Sequence, residues 1–201
     1  MSEGRRSIRC VIVAVMIALV MLMSGRSPST WLRAGVADAQ ELVFMKALED
    51  AEKAIREARD YEAEIYAPEE FSLALEYLAQ AKDEAKLFRA ATQEKGGHLF
   101  SARTSGEAVS LLAEKAQYQA KVAGTKAIEV KATDEITTIK ALITDTFNTT
   151  VDRRFTPTRE RLFGELSTKE AVRSEARKAR AQAESELRRL TLEGQTTPAP
   201  Q

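Results

Sequence analysis

Histidine and cysteine, the residues most used for metal and nucleophilic chemistry, occur once each in this chain, as His98 and Cys10. One His and one Cys far apart in sequence fall short of a transition-metal site, so none is expected. His98 follows Gly96-Gly97 and reads as a solvated loop residue. No disulfide can form within the chain, so stability has to come from packing and local helix terms. Aromatics make up 6% of the residues, and the 5 prolines and 9 glycines fall mostly at apparent breaks. No convincing alternating strand pattern appears. Charge of one sign is also missing: 30 basic residues face 30 acidic ones. Without a concentrated basic face there is no case for a nucleic-acid partner. Long apolar runs are absent after the first 13-residue stretch, residues 11–23.

That stretch carries the strongest signal. Arg5, Arg6 and Arg9 precede it, and Ala37-Asp38-Ala39 follows. A positive start, a short apolar core and an A-x-A site form the pattern of a secretory signal peptide. Residues 1–39 are then the signal, with cleavage between Ala39 and Gln40 directed by Ala37 and Ala39. The rival is an uncleaved single-pass anchor. Its apolar core, about 20 Å as a helix, is short for a bilayer crossing, but the long segment to Ala39 with Arg26 and Arg33 favours it. A lipoprotein would need a cysteine after the apolar core, and Cys10 precedes it. Both main readings put the rest of the chain in the periplasm or cell envelope, touching a membrane only through an uncleaved N-terminus. The exported part carries 25 basic and 28 acidic residues, which argues against strong attraction to anionic lipid.

What is abundant from residue 41 to 194 is Ala, Glu, Lys, Leu and Arg. This bias, at 3.5- to 3.6-residue periodicity, signals long helices or coiled coil. The first helix is expected over residues 41–66, with Phe44, Leu48, Ala51, Ile55 and Ala58 on one stripe extended by Tyr61 and Ile65. Pro68 ends it and opens the second, with Glu69 and Glu70 placed to complement the helix dipole. Phe71, Ala74, Leu78, Ala81, Ala85 and Phe88 form the second stripe, and Gly96-Gly97 stops it. The third helix begins between residues 100 and 106. It carries Val109, Leu112, Ala116, Ala120, Ala123, Ala127 and Val130, with Ile136, Ile139 and Ile143 read as continuing the same face. Five threonines weaken its second half locally. Residues 148–156 read as a loop. The fourth helix runs from about Pro157 to Leu192 on Val172, Ala176, Ala179, Ala183, Leu187 and Leu190. A tail over residues 193–201 has too few apolar residues to pack.

These stripes predict an all-α fold: an antiparallel helical bundle extended by a long helical hairpin or coiled coil. Residues 40–127 make the three-helix bundle and residues 128–192 the extension. Ile136, Ile139 and Ile143 are the candidate partner surface; the fourth helix is expected to return along the second half of the third as an antiparallel hairpin and cover them, or to pair with the fourth helix of another copy. The aromatics Tyr61, Tyr66, Phe71, Tyr77 and Phe88 read as core packing rather than a recognition patch, because Phe71 and Phe88 sit in the heptad. Paired carboxylates such as Glu69-Glu70 and Asp83-Glu84 read as solvated helix faces. No nucleophile motif and no cofactor-binding motif is present.

The run Ala51-x-x-Ala54-Ile55-x-x-Ala58, the turn Tyr66-Ala67-Pro68-Glu69-Glu70-Phe71, and Ala74-x-x-x-Leu78-x-x-Ala81 resemble the bacterial family named domain of unknown function 4398. The resemblance covers about residues 41–127. It implies a helical exported or lipid-anchored envelope protein, sometimes joined to a peptidoglycan-binding domain of the outer-membrane protein A type. This chain lacks a lipobox cysteine, and no such domain is recognisable in its 201 residues, so peptidoglycan binding is not carried over. The family supplies no catalytic residues.

The sequence thus predicts a non-enzymatic envelope protein acting as a helical adaptor, spacer or partner-binding module, engaging an envelope protein or itself. Two alternatives are a periplasmic hydrolase with an unrecognised carboxylate site and a membrane-surface or chaperone-like binder of apolar ligands.

Overall fold

The computed structural model describes residues 28–93, 99–149 and 156–196, with side chains over 41–91, 106–147 and 156–194. Among the described residues there are five helices and no strand: α1 (Pro28–Asp60), α2 (Ala63–Tyr66), α3 (Pro68–Gln93), α4 (Leu99–Thr149) and α5 (Thr156–Thr196). The apolar run of residues 11–23, the Gly96-Gly97 break, His98 and residues 197–201 lie outside them. The backbone of Ala37, Ala39 and Gln40 is part of α1, which starts well before the expected residue 41.

The expected first helix is broken near its end. α1 stops at Asp60, Glu62 takes a left-handed conformation with φ 61°, and the single turn α2 follows. For a residue with a Cβ, that conformation costs about 1–2 kcal/mol, and Gly or Asn is the usual choice. Glu62 offers no such sequence signal. It is held from outside: Lys131 on α4 bonds its Oε2 at 2.6 Å, and Ala63, which opens α2, and Ala67, which follows it, are fully buried. The Ala67 carbonyl then accepts the Phe71 amide at 3.0 Å, and α3 starts at Pro68.

α1 and α3 are antiparallel. Glu41 meets Arg89 at 3.0 Å, Glu52 meets Lys82 at 2.7 Å, and the Phe44 and Phe88 rings meet edge to face at 5.1 Å. Both helices pack on α4, which at 51 residues spans about 75 Å. α4 is the centre of the fold because it carries two apolar stripes. Val109, Ala113, Ala116, Ala120, Ala123 and Ala127 join the main core with α1 and α3. Their small side chains let the backbones approach closely. Gly124 is the limiting case: a Cβ there would sit 3.4 Å from the Ala58 Cα and the Tyr61 ring.

The second stripe includes Val122, Ala132, Ile136, Ile139 and Ile143, all buried. The expectation that the isoleucines continue the Ala-rich face is corrected here. Ile136 lies nine positions after Ala127, and nine steps of about 100° leave them on opposite sides of the helix. This second stripe faces α5. Ile139 and Ile143 cluster with Leu162 and Leu166. Lys140 meets Glu170 at 3.4 Å, Glu135 meets Lys169 at 2.6 Å, and Gly194 comes back beside Leu111. α5 therefore returns antiparallel along nearly all of α4, beyond the second half that the sequence suggested.

The α5 face also differs from the expected one. Ala176, Ala183 and Leu190 are buried as predicted, but Val172 is exposed at 39% and Ala179 is exposed. Arg180 lies at the seam instead and, with Arg177, binds Glu129 of α4. A buried-side arginine looked like a surface residue in sequence because its partner lies on another helix. The threonines of late α4 do not interrupt it. Thr133, Thr137, Thr138 and Thr144 each donate to the carbonyl four residues back at 2.8–3.0 Å. The predicted tail begins too early, since residues 193–196 remain helical.

Candidate interaction surfaces

The α2 turn packs near Gly124–Lys131 of α4, so α1 and α3 leave α4 there. Residues 132–149 and the start of α5 continue alone as a two-helix hairpin. It projects about 27 Å beyond the bundle at 1.5 Å per residue. The waist is fixed by charge. Lys126 bonds Glu70 at the start of α3, while Arg177 and Arg180 bind Glu129, whose side chain is only 12% exposed. Burial pushes the Glu70 carboxyl up. The Lys126 hydrogen bond, its own amide and the charges of Lys126 and Arg180 outweigh that and hold it below its usual range.

The candidate partner surface is repositioned. Ile136, Ile139 and Ile143 are 3%, 8% and 9% exposed, and Ile139 and Ile143 pack on α5, as expected if the fourth helix folds back over them; they form a seam and not an outward docking strip. They are brought together, but α5 covers them, because a stripe that wide cannot remain wet when an antiparallel helix is available. What remains open at the hairpin end is Leu142, Phe147 and Phe163 at 49%, 55% and 48% exposure. The Arg159 guanidinium stacks 4.3 Å from the Phe147 ring centroid and donates to the Thr146 carbonyl at 2.6 Å. These residues were not singled out from sequence. The available signal was Phe163 beside Leu162: a narrow two-helix seam needs one large apolar residue per turn, not two adjacent ones.

Elsewhere the aromatics divide. Phe71 and Phe88 are core, Tyr66 and Tyr77 pack against it, and Tyr61 is half exposed beside Gly124. Two open hollows flank α1. The larger, about 840 Å³, lies between α1 and α3 with Leu42, Met45, Leu48 and Ala85 along its floor. Its Glu52 is taken up by Lys82. The smaller, about 320 Å³, brings Asp50 of α1 and Glu114 of α4 into one hollow with Lys46, Tyr118 and Arg189. Of the paired carboxylates, Asp83 bonds Lys86 at 2.8 Å, Glu69 faces solvent, and Glu70 turns inward to Lys126. Among the described residues no group of three or more His, Cys, Asp or Glu is placed to hold a metal ion. Among the same residues no helix is long and apolar enough to cross a membrane.

The fold defines a class, an all-α antiparallel bundle with a projecting helical hairpin. No protein-family model, curated protein or solved structure matches the chain.

Proposed function

We propose that this is a non-enzymatic exported envelope protein that works as a helical adaptor and spacer, presenting the end of its α4–α5 hairpin to a partner. One observation carries the reading: aromatic side chains stand half exposed on a hairpin held clear of the bundle. α1 runs parallel to α4, since Ala58 lies beside Gly124 and Glu62 beside Lys131. The N-terminal part of α1 therefore lies toward one end of the molecule and the aromatic tip at the other. The separation is about 75 Å, the length of α4. The signal-like N-terminus supports export, and the resemblance to the envelope family agrees with it.

Three measurements test the proposal. Cell fractionation with intact-mass analysis should find the chain in the periplasm beginning at Gln40. A full-length species in the membrane would replace cleavage by the anchor, and a cytoplasmic chain would end the envelope reading. A photo-crosslinking residue placed in living cells at 147 or 163 should give more protein adducts than one at Arg56 or Ser72, which are exposed on the bundle. Equal or reversed yields would remove the hairpin end as the binding surface. Hydrolysis of an envelope ester or glycoside that disappears in Asp50→Asn or Glu114→Gln would instead establish the hydrolase.

A further inference from the structure

We infer that Met45 is a site of reversible oxidation: a peroxide adds one oxygen to its sulfur on the side turned away from Arg89, and the hollow between α1 and α3 takes up that oxygen. The inference concerns the bundle and does not rest on the hairpin surface.

From residue 24 onward Met45 is the only sulfur-containing residue. Methionine is oxidised where an oxidant reaches its sulfur. Met45 is 43% exposed and lines the open hollow of about 840 Å³. One side of the sulfur is occupied. Arg89 of α3 donates to it from Nη2 at 3.0 Å, while its Nε donates to Glu41 at 3.0 Å. Glu41 and Met45 are four residues apart, so one guanidinium holds two successive turns of α1. A thioether sulfur has two lone pairs. One accepts from Arg89, which leaves the other for the oxidant. A sulfoxide sulfur is chiral, so attack on that one lone pair gives a product of one hand.

The hollow suits the product. Lys46, Lys82, Lys86 and Arg89 line it against Glu49 and Glu52. A thioether is a weak acceptor, whereas the sulfoxide oxygen carries partial negative charge and accepts from such cations readily. In a packed core the same oxygen would lack a donor and disrupt its surroundings. Here it meets donors and water, so α1 and α3 stay together. The step balances. The sulfur lone pair attacks one oxygen of the peroxide, the O–O bond breaks, and with hydrogen peroxide the second oxygen leaves as water with both hydrogens. Sulfur loses two electrons and the peroxide gains them. A dithiol reductase reverses the change: the oxygen leaves as water and the dithiol closes to a disulfide.

The test uses the full-length chain and hydrogen peroxide, with free methionine in the same tube as the reference. Peptide mapping should find one oxygen added to the peptide that contains Met45 by the time the free methionine is converted. The two methionine sulfoxide reductases, one for each epimer, then read the hand of the product. One should restore about ten times as much Met45 as the other, since the occupied side requires breaking a charged hydrogen bond and about 1.4 kcal/mol is a factor of ten in rate. Arg89→Ala should bring the two reductases close to parity. Its far-UV circular dichroism should match the parent, because the Arg89 side chain is 46% exposed. Oxidation should leave the thermal midpoint where it was, judged against Met45→Leu treated alike to account for the methionines before residue 24. Met45 left unmodified while free methionine is consumed overturns the inference. Equal epimers in the parent, or a bias that survives Arg89→Ala, overturn it too. So does a midpoint that falls on oxidation in the parent and not in Met45→Leu.

Discussion

The edge-to-face pair of Phe44 and Phe88 should dominate the stability of the bundle. The core contributed by α4 is almost entirely alanine, and α1 and α3 add Ala51, Ala54, Ala58, Ala74, Ala81 and Ala85. Alanine seams bring backbones close but bury little area per residue. The few large side chains therefore matter more than usual, and Phe44 and Phe88 are fully or almost fully buried, at 0% and 1% exposure. Phe88→Ala should cost about 3–5 kcal/mol, the transfer loss plus the cavity left behind. That is a large part of the roughly 5–15 kcal/mol of a whole domain. At about 2–4 °C per kcal/mol for this chain length, the thermal midpoint should fall by roughly 6–20 °C. Phe44→Ala should behave alike. The double mutant should lose less than the sum, by about 0.5–1.5 kcal/mol from the ring pair itself, with the shared cavity adding to the coupling. Urea unfolding followed by circular dichroism measures all four corners of the cycle. A Phe88→Ala loss under about 1 kcal/mol, or strict additivity, would mean that this end of the bundle is not packed as described.

Acid should loosen the waist through Glu70. Its carboxyl lies below the ordinary 4.5 in the folded chain, so its contribution is complete above that value and is lost as pH falls through the lower folded value. Thermal midpoints measured from pH 6 down to pH 3 should fall more steeply in the parent than in Glu70→Gln; parallel curves would refute the coupling. Gly124→Ala should be neutral or stabilising by up to about 1 kcal/mol, since the helix gains an alanine and the new Cβ meets Ala58 and Tyr61 at ordinary contact distance. Gly124→Leu should lose about 1–3 kcal/mol by prising α1 from α4, and denaturant unfolding would show a failure of either sign. Truncation after Arg154 should leave α1, α3 and early α4 helical while uncovering Ile136, Ile139 and Ile143. Light scattering should then rise; loss of all helicity, or a soluble monomer with late α4 unaltered, would refute the two-seam description.

Much of this fold was legible because its signals are local. Pro68 and the Phe71–Phe88 heptad mark α3 without reference to any other helix, and the Ala-rich stripe of α4 needs only its own period. Two of the misreadings share one cause: each depended on a residue from a different element. Nothing in Tyr61-Glu62-Ala63 announces a left-handed residue, because the stabilising partner, Lys131, lies 69 positions away. Arg180 reads as solvent-facing until Glu129 is set opposite it. The candidate surface depended on another element too, and the expected return of the fourth helix over it is what the structure shows. Ile136, Ile139 and Ile143 are a correct apolar strip, but whether such a strip is a site or a seam depends on what α5 does.

The hardest case, α4, was nevertheless decidable from sequence. Its positions 109–127 and 136–143 each keep helical spacing, so together they look like one long face. The phase between them shows that they are two. A helix with stripes on opposite sides has to be covered from both sides, and α1 with α3 can cover only one. The 41-residue α5, poor in large apolar residues yet long enough to run the length of the second stripe, then has an assigned place. Its cover thins where it matters most. Among the described residues, the second stripe beyond the waist has one helix over it and no other element on its flanks, and that is where Phe147 and Phe163 stand half exposed. The same mismatch between the width of an apolar face and the width of its cover that places α5 on α4 also leaves the aromatic rings at the hairpin end half exposed.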